Sequence, residues 1–528
     1  MGRWLAVIAC ALFTHLAALR AGFVWLDHAH IEKKLAIAPP SRWGELFTQG
    51  FAGTGFYRPL MALSLSLDAL AGSPLAFHAT SLAWHAAASI LVVAAAEALG
   101  LSRRAATVAG IFFAVHPVAE LAANVIAFRS EAMIVVALLG LVVAHLRGKP
   151  LLAAAALFAG ALSKEVALVL APLFIVALEW PAPGLASRPR ESRRRVWVAE
   201  AIAFAAALGL RLGFAPSWRA SHEPLAALDA IGTRFAALAK SAGALLFPVD
   251  RHVCDAFRVT PAWHLTSLLG FAVAITLARL AWKRRGPAIL LALAILPSLH
   301  LVPIMRWWSP HYAYLPLAFA AMLGAEAIER LGRRRDRGGH RASAAAAFGV
   351  AVILAGLTAF DGPRFASDAS LWRGEIAAQP ACREGHFYLA ELDRQAKHFG
   401  AAAKEYEAAL APRPGVLAYV DRAAAWQNLG TVLIELHRFA DAQGAFRTAL
   451  AGAKDERTAR ELVHDLAGAT LAAGDAAEAA RLLESETARD DAFPDSLTLR
   501  AIALQKLGRD DEARTLLGRA RLHAGATP

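Results

Sequence analysis

Charge and cysteine are both scarce in this chain, and each scarcity excludes something. Only 19% of the 528 residues are charged, against about 25% in an ordinary soluble domain. With a mean hydropathy of +0.43, that excludes a wholly soluble protein and indicates a polytopic membrane protein. The three cysteines, Cys10, Cys254 and Cys382, show no paired spacing, so the sequence indicates neither a disulfide framework nor a cysteine-ligated metal. Acids are also short relative to bases, 43 against 55, for a net charge of +12. Such an excess can serve nucleic acid, but here the arginines cluster between apolar segments. Positive-inside anchoring accounts for them, and no nucleic-acid partner is expected.

What is present is a series of apolar runs that stops near Phe360. Residues 1–21 read as a membrane helix and not a cleaved signal, since the stretch is long and lacks a small-residue cleavage site. Further runs cover residues 77–99, 105–115, 118–128, 132–146, 151–162, 166–180, 196–212, 265–282, 288–304, 311–328 and 344–360. Residues 231–247, interrupted by Arg234 and Lys240, read as interfacial or re-entrant. The run 118–128 begins and ends on the outer face, so the count is about 11 spans. With the N-terminus in the cytoplasm, the basic clusters at 103–104, 147–149, 188–195, 283–285 and 333–341 all fall inside. The expected domains are a transmembrane domain over 1–360, a linker helix over 361–382, and a soluble helical domain over 383–528.

That soluble tail repeats. The tetratricopeptide pattern has a period of 34 with small residues where paired helices pack. Trp426, Leu429, Gly430, Ala442, Phe446 and Ala449 fall at its positions. An earlier unit carries Leu389, Ala390, Ala402, Tyr406, Ala409 and Pro414, and two degenerate units carry Gly474 with Ala479 and Gly508 with Ala513. Stacked repeats of this kind present an interaction surface.

The same topology brings a set of polar side chains to the outer membrane face: Asp27, Tyr57, Arg58, His116, Glu120, Arg129, Lys164, Glu165, Arg306 and His311. Ionisable groups at such a boundary are costly near lipid unless solvated or paired. Asp27 suits a general base accepting a proton from an attacking hydroxyl. Arg58, Arg129, Lys164 and Arg306 suit stabilisation of a departing phosphate. His28 and His30 could ligate a divalent metal with Asp27, but an alternating pair in a loop reads first as solvated. His85 reads as a hydrogen-bonded packing residue and Glu97 as a boundary residue.

The motifs Trp25-Leu26-Asp27, Tyr57-Arg58-Pro59-Leu60, Phe77-His78 with His85, and His116-Pro117-Val118-Ala119-Glu120 occur in that order. They are followed by Phe128-Arg129-Ser130-Glu131, Ser163-Lys164-Glu165, His311-Tyr312-Ala313-Tyr314-Leu315-Pro316 and Leu371-Trp372. On these the chain resembles the GT-C membrane glycosyltransferases, and most of all the transmembrane-and-tetratricopeptide-repeat O-mannosyltransferases and their bacterial relatives. The resemblance implies an all-α fold, a polytopic membrane helix bundle followed by a tetratricopeptide-repeat α-solenoid. It also implies a polyprenyl- or dolichyl-phosphate sugar donor, often mannose, and an outward-facing site that needs no cofactor. The acceptor would be a protein or peptide held by the repeats, and the membrane a bacterial inner or plasma membrane with the repeats periplasmic or extracellular. Three positions depart from the family pattern: Leu26 stands for the first of two acids, Ser81 for an Asn and His311 for an Arg. The lost acid motivates a rival reading, a catalytically degenerate membrane-anchored repeat scaffold. A transporter is disfavoured because no inverted repeat is seen.

Overall fold

The structure is a computed structural model describing residues 2–179, 190–215, 225–254, 256–284, 286–301, 304–333, 337–453 and 455–525. The expected basic anchors at 188–189, 285 and 334–336, and the end of the 166–180 run, lie outside the described residues. Among those described, the regular elements are helices, and the chain divides into two compact units, Met1–Gly374 and Glu375–Pro528.

The first unit runs α1 (Gly2–Thr14), α2 (Pro59–Ala69), α3 (Pro74–Ala98), α4 (Arg103–Val115), α5 (Glu120–Asn124), α6 (Arg129–Leu146), α7 (Pro150–Ser163) and α8 (Ala167–Glu179). It continues with α9 (Arg190–Phe214), α10 (Ala227–Leu246), α11 (Leu265–Arg284), α12 (Pro287–Ile295), α13 (Tyr314–Arg333), α14 (Arg337–Asp361) and α15 (Asp368–Ala378). Among the described residues, five stretches are long and apolar enough to cross a membrane: Pro74–Ala98, Ile126–Leu146, Glu191–Phe214, Leu265–Lys283 and Arg341–Ala366. Arg103–Val115 and Pro117–Asn124 together form a further apolar pair bent by 55°, the geometry of a broken span or a re-entrant loop. The bend follows from Pro117, whose ring pushes His116 into an extended conformation at ψ 135°.

Several expected runs prove shorter than a span. The first helix ends at Thr14, and α7 and α8 have 14 and 13 residues, about 20 Å of helix where the hydrocarbon needs about 30 Å. The break at Lys164-Glu165 that divides the two runs in the sequence also separates α7 from α8. The stretch 231–247, expected to be interfacial or re-entrant, lies in α10, one continuous helix of 20 residues. It lies so close to α11 that a Cβ on Gly270 would overlap the Phe235 carbonyl at 1.8 Å. Its two cations are accommodated, Lys240 by Asp250 at 3.4 Å and by the Trp308 ring at 4.2 Å, Arg234 by the His300 carbonyl at 3.4 Å. Cys10 is a free thiol.

The second unit is a row of helical hairpins: α16 (Arg383–Gln395) with α17 (Phe399–Leu410), α18 (Arg422–Glu435) with α19 (Phe439–Ala451), α20 (Glu456–Ala472) with α21 (Ala476–Leu482), then α22 (Glu484–Ala488) and α23 (Pro494–Lys506) with α24 (Asp510–Gly525). Each hairpin turns on a positive-φ residue: Lys397, His437, Gly474 and Gly508. The small residues Ala402, Ala442, Ala479 and Ala513 are fully buried where the helices pack. Successive hairpins are tied by side chains, with Asn428 Nδ2 donating to Glu391 at 2.6 Å and Gln427 Nε2 to Asp465 at 2.7 Å. The fold is therefore all-α, a polytopic membrane helix bundle followed by a tetratricopeptide-type α-solenoid.

Gly430 illustrates how tightly one hairpin closes, since a Cβ there would meet the buried Phe446 ring at 2.7 Å. Gly430→Val gains almost nothing in helix propensity to offset that clash. It is expected to lower the unfolding free energy of the repeat unit by about 1–3 kcal/mol, read from the denaturation midpoint of the full chain by circular dichroism.

Candidate functional site

The loop after α1 is shaped around Trp25. Its φ of 59° is a costly conformation for a bulky residue, and the surroundings hold it there. Its N–H donates to Asp368 Oδ1 at 2.8 Å, and its ring lies 5.0 Å from Phe128 and 5.2 Å from Trp372. The Arg306 guanidinium lies over the same ring at 5.2 Å. Two residues on, Asp27 is fully buried. Its Oδ1 accepts from the Ala127 N–H at 2.7 Å, while Oδ2 receives only two long bonds, from Val24 at 3.3 Å and Ile126 at 3.4 Å. Burial pushes its carboxyl up to about 7, against the opposing pull of those backbone N–H groups and the His28 charge.

His28 and His30 are corrected from solvated loop residues. His28 bridges two acids, its Nε2 2.6 Å from Asp368 and its Nδ1 bonded to Glu32. Burial alone lowers its pKa, but the bonds to Asp368 and Glu32 outweigh that and lift it to about 9. The His30 ring lies 5.0 Å from Phe51, and burial together with the Arg58 charge holds it down to about 4. Among the described residues, no group of three or more His, Cys, Asp or Glu is arranged to hold a metal ion.

The expected cations fall into two arrangements. Arg58, Lys164 and Arg306 all act electrostatically on His311. Arg58 is clamped by Glu165, Nη2 to Oε2 at 3.0 Å, and its guanidinium lies 4.4 Å from the Phe56 ring. Glu165 also takes the Tyr57 N–H at 2.8 Å, and the Tyr57 hydroxyl donates to the Phe47 carbonyl at 2.8 Å. Lys164 pairs with Glu131, whose carboxylate is also 3.8 Å from His311 Nε2. The His311 ring packs 4.5 Å from Phe128, so the cation group and the Asp27 loop share an aromatic wall of Trp25 and Phe128. Arg58 and Lys164 each keep about one-sixth of their side chains exposed.

Arg129 is different and is corrected from a donor-phosphate contact. It is fully buried, and its donors go to Ser81 Oγ at 3.1 Å, Ser64 Oγ at 2.9 Å, the Phe77 carbonyl at 2.7 Å and Asp68 at 2.6 Å. These contacts engage four of its five N–H groups, and the side chain is fully enclosed. Tyr57 likewise has its hydroxyl committed, and His116 caps the turn after α4, its Nδ1 accepting from the Val118 N–H at 3.2 Å. Glu120 stands apart in a second polar group, where Arg364 Nη2 donates to its Oε2 at 3.2 Å. His85 is the packing residue expected, with Nδ1 2.8 Å from the Tyr314 hydroxyl and Nε2 3.0 Å from the Ala114 carbonyl. Glu97 pairs with Arg3. Asp68, Glu131 and Asp368 were missed as partners. Only Leu371-Trp372 signalled Asp368, because Trp372 Nε1 donates to it at 3.1 Å.

No protein-family model matches the chain. It is similar to two proteins of Drosophila melanogaster, "Protein O-mannosyl-transferase Tmtc2", 34% identical over 119 residues, and "Protein O-mannosyl-transferase Tmtc1", 35% identical over 119 residues. These matches cover 20% and 21% of this chain but only 13% and 14% of the relatives. Among solved structures, that of MamA aligns with a TM-score of 0.26 at 16% identity, covering 32% of this chain and 90% of that one.

Proposed function

We propose that this chain is an integral-membrane glycosyltransferase. It moves a sugar, by preference mannose, from a polyprenyl- or dolichyl-phosphate donor to a hydroxyl on a protein or peptide bound by the repeats. The observation that carries the reading is the packing of His311 on Phe128, with Glu131 and its partner Lys164 beside it and Arg306 over Trp25, along the wall that borders Asp27. Cations in a partly desolvated site stabilise the charge that develops on a departing phosphate. Asp27 takes the proton of the acceptor hydroxyl through Oδ2, the oxygen held by the two long bonds. A carboxyl titrating near 7 is matched to that work at neutral pH. Partial similarity to the two O-mannosyl-transferases supports the same class.

In this reading the N-terminus is cytoplasmic and the site lies on the outer face of a bacterial inner or plasma membrane. The test is transfer of radiolabelled mannose from polyprenyl-phosphate mannose by membranes containing the full chain. Label above that of membranes lacking it is expected, and none would contradict the proposal.

One observation favours a second reading. Leu26 replaces an acid, and both oxygens of Asp27 already receive backbone N–H groups, as in a carboxylate that only holds its loop. The chain would then be a membrane-anchored scaffold whose repeats do the work, and full-length Asp27→Asn would behave as wild type in cells.

A further inference from the structure

We propose that Arg211, near the C-terminal end of α9, binds the phosphate of a membrane lipid. Arg211 is only 7% exposed and lies within the apolar stretch Glu191–Phe214. Its Nη2 donates to the Gly55 carbonyl at 2.9 Å, while its Nη1 is buried without a hydrogen-bond partner. Among the described residues no carboxylate pairs with it. Arg58, Arg129 and Lys164 differ in this respect, being paired with Glu165, Asp68 and Glu131. An enclosed charge without a counter-ion costs several kcal/mol. In a membrane-spanning segment such a residue marks a ligand site, and an anion is what offsets it.

The surroundings place the unpaired donor beside the cation group. Ala207, Arg211 and Ala215 are buried at a spacing of four, one face of α9. Ala215 packs with Tyr57 and Leu162 on that face. Tyr57 precedes Arg58, and Leu162 stands two residues before Lys164. The guanidinium is rigid and planar, so Nη1 stays beside Nη2 and the Gly55 carbonyl, three residues before Arg58. Arg58 and Glu165 cancel as a pair, which leaves Arg211 as an additional positive charge in this corner.

The chemistry selects the ligand. An arginine N–H only donates, and phosphate oxygens in a fork-shaped contact are its closest match. Leu212 and Phe214, which flank this turn, are 58% and 40% exposed, so an apolar surface borders the site and a lipid tail can lie along it. A polyprenyl phosphate and a phospholipid share the phosphate group. That the lipid is the sugar donor rests on the transferase reading; a lipid-phosphate site at Arg211 does not.

The experiment uses the full chain purified in dodecyl maltoside, a detergent without phosphate. Binding of polyprenyl phosphate, phosphatidylglycerol and unphosphorylated polyprenol is read by native mass spectrometry, with thermal unfolding alongside. Polyprenyl phosphate is expected to bind at least about tenfold more tightly than polyprenol, and Arg211→Gln is expected to abolish that difference. Without lipid, Arg211→Gln should unfold at the wild-type temperature or above it, because the charge removed has no partner. An arginine with a merely structural role would lose stability instead. Preference for polyprenyl phosphate over phosphatidylglycerol identifies the donor lipid, and the opposite preference assigns the same phosphate site to a headgroup. Equal binding of polyprenyl phosphate and polyprenol by wild type, or an unchanged difference in the folded variant, overturns the assignment. Phosphate-dependent binding that Arg211→Gln abolishes, in a chain that transfers no sugar, leaves this site standing and removes the transferase reading. Transfer by wild type with unaltered lipid binding in Arg211→Gln does the reverse.

Discussion

Asp27→Asn is expected to reduce mannose transfer by about 10²–10⁴-fold, the usual loss when a general base is removed. The substitution keeps an oxygen to accept from the Ala127 N–H, the short bond at 2.7 Å, and so keeps the strongest tie of the loop. What it removes is the proton acceptor at Oδ2. In wild type the initial rate is expected to rise with pH through about 7, as the carboxyl ionises. In the variant it is expected to be flat across that range.

Stability moves the opposite way. A carboxyl raised from about 3.9 in the unfolded chain to about 7 in the fold binds more protons when folded. Its contribution is full below about pH 4 and is lost as pH rises through 7. Wild type should therefore lose thermal stability relative to Asp27→Asn between pH 4 and 7, measured by unfolding in detergent. A variant that transfers sugar as fast as wild type removes Asp27 from the chemistry.

Arg129→Ala is expected to cost about 3–5 kcal/mol of stability, the penalty for stranding one partner of a buried ion pair. It would leave Asp68, whose Oδ2 lies 2.6 Å from the guanidinium, uncompensated, together with Ser64 and Ser81. Arg129→Met combined with Asp68→Leu should lose less than Arg129→Ala alone, because neither charge is then stranded. Unfolding in graded denaturing detergent reads both. A loss under about 1 kcal/mol for Arg129→Ala would contradict the structural role and return Arg129 to the ligand-binding set.

The contrast between Arg58 and Arg129 explains which parts of the site could be read in advance. Hydropathy and positive-inside bias lead to the expectation that both arginines lie on one face. Their fates depend on acids far away in the chain, Glu165 for one and Asp68 for the other, and nothing local to either arginine identifies its partner. The repeats were legible because their signal is local, a small residue at each helix crossing and a turn at each hairpin. The break between α7 and α8 was legible as well, because Lys164-Glu165 interrupts the apolar run. Trp25 was legible as a motif residue, but its left-handed backbone is imposed by Asp368 and Trp372 from the far end of the same unit.

The account stands most directly on the cation group around His311, and one measurement reaches it: binding of polyprenyl-phosphate mannose to the purified full chain, wild type against Lys164→Ala. Lys164 is partly exposed and pairs with Glu131 beside His311. The account predicts binding by wild type and at least about tenfold weaker binding by the variant, the loss of one charge-assisted contact. Equal binding by the two proteins, or none by a folded wild-type chain, would contradict it.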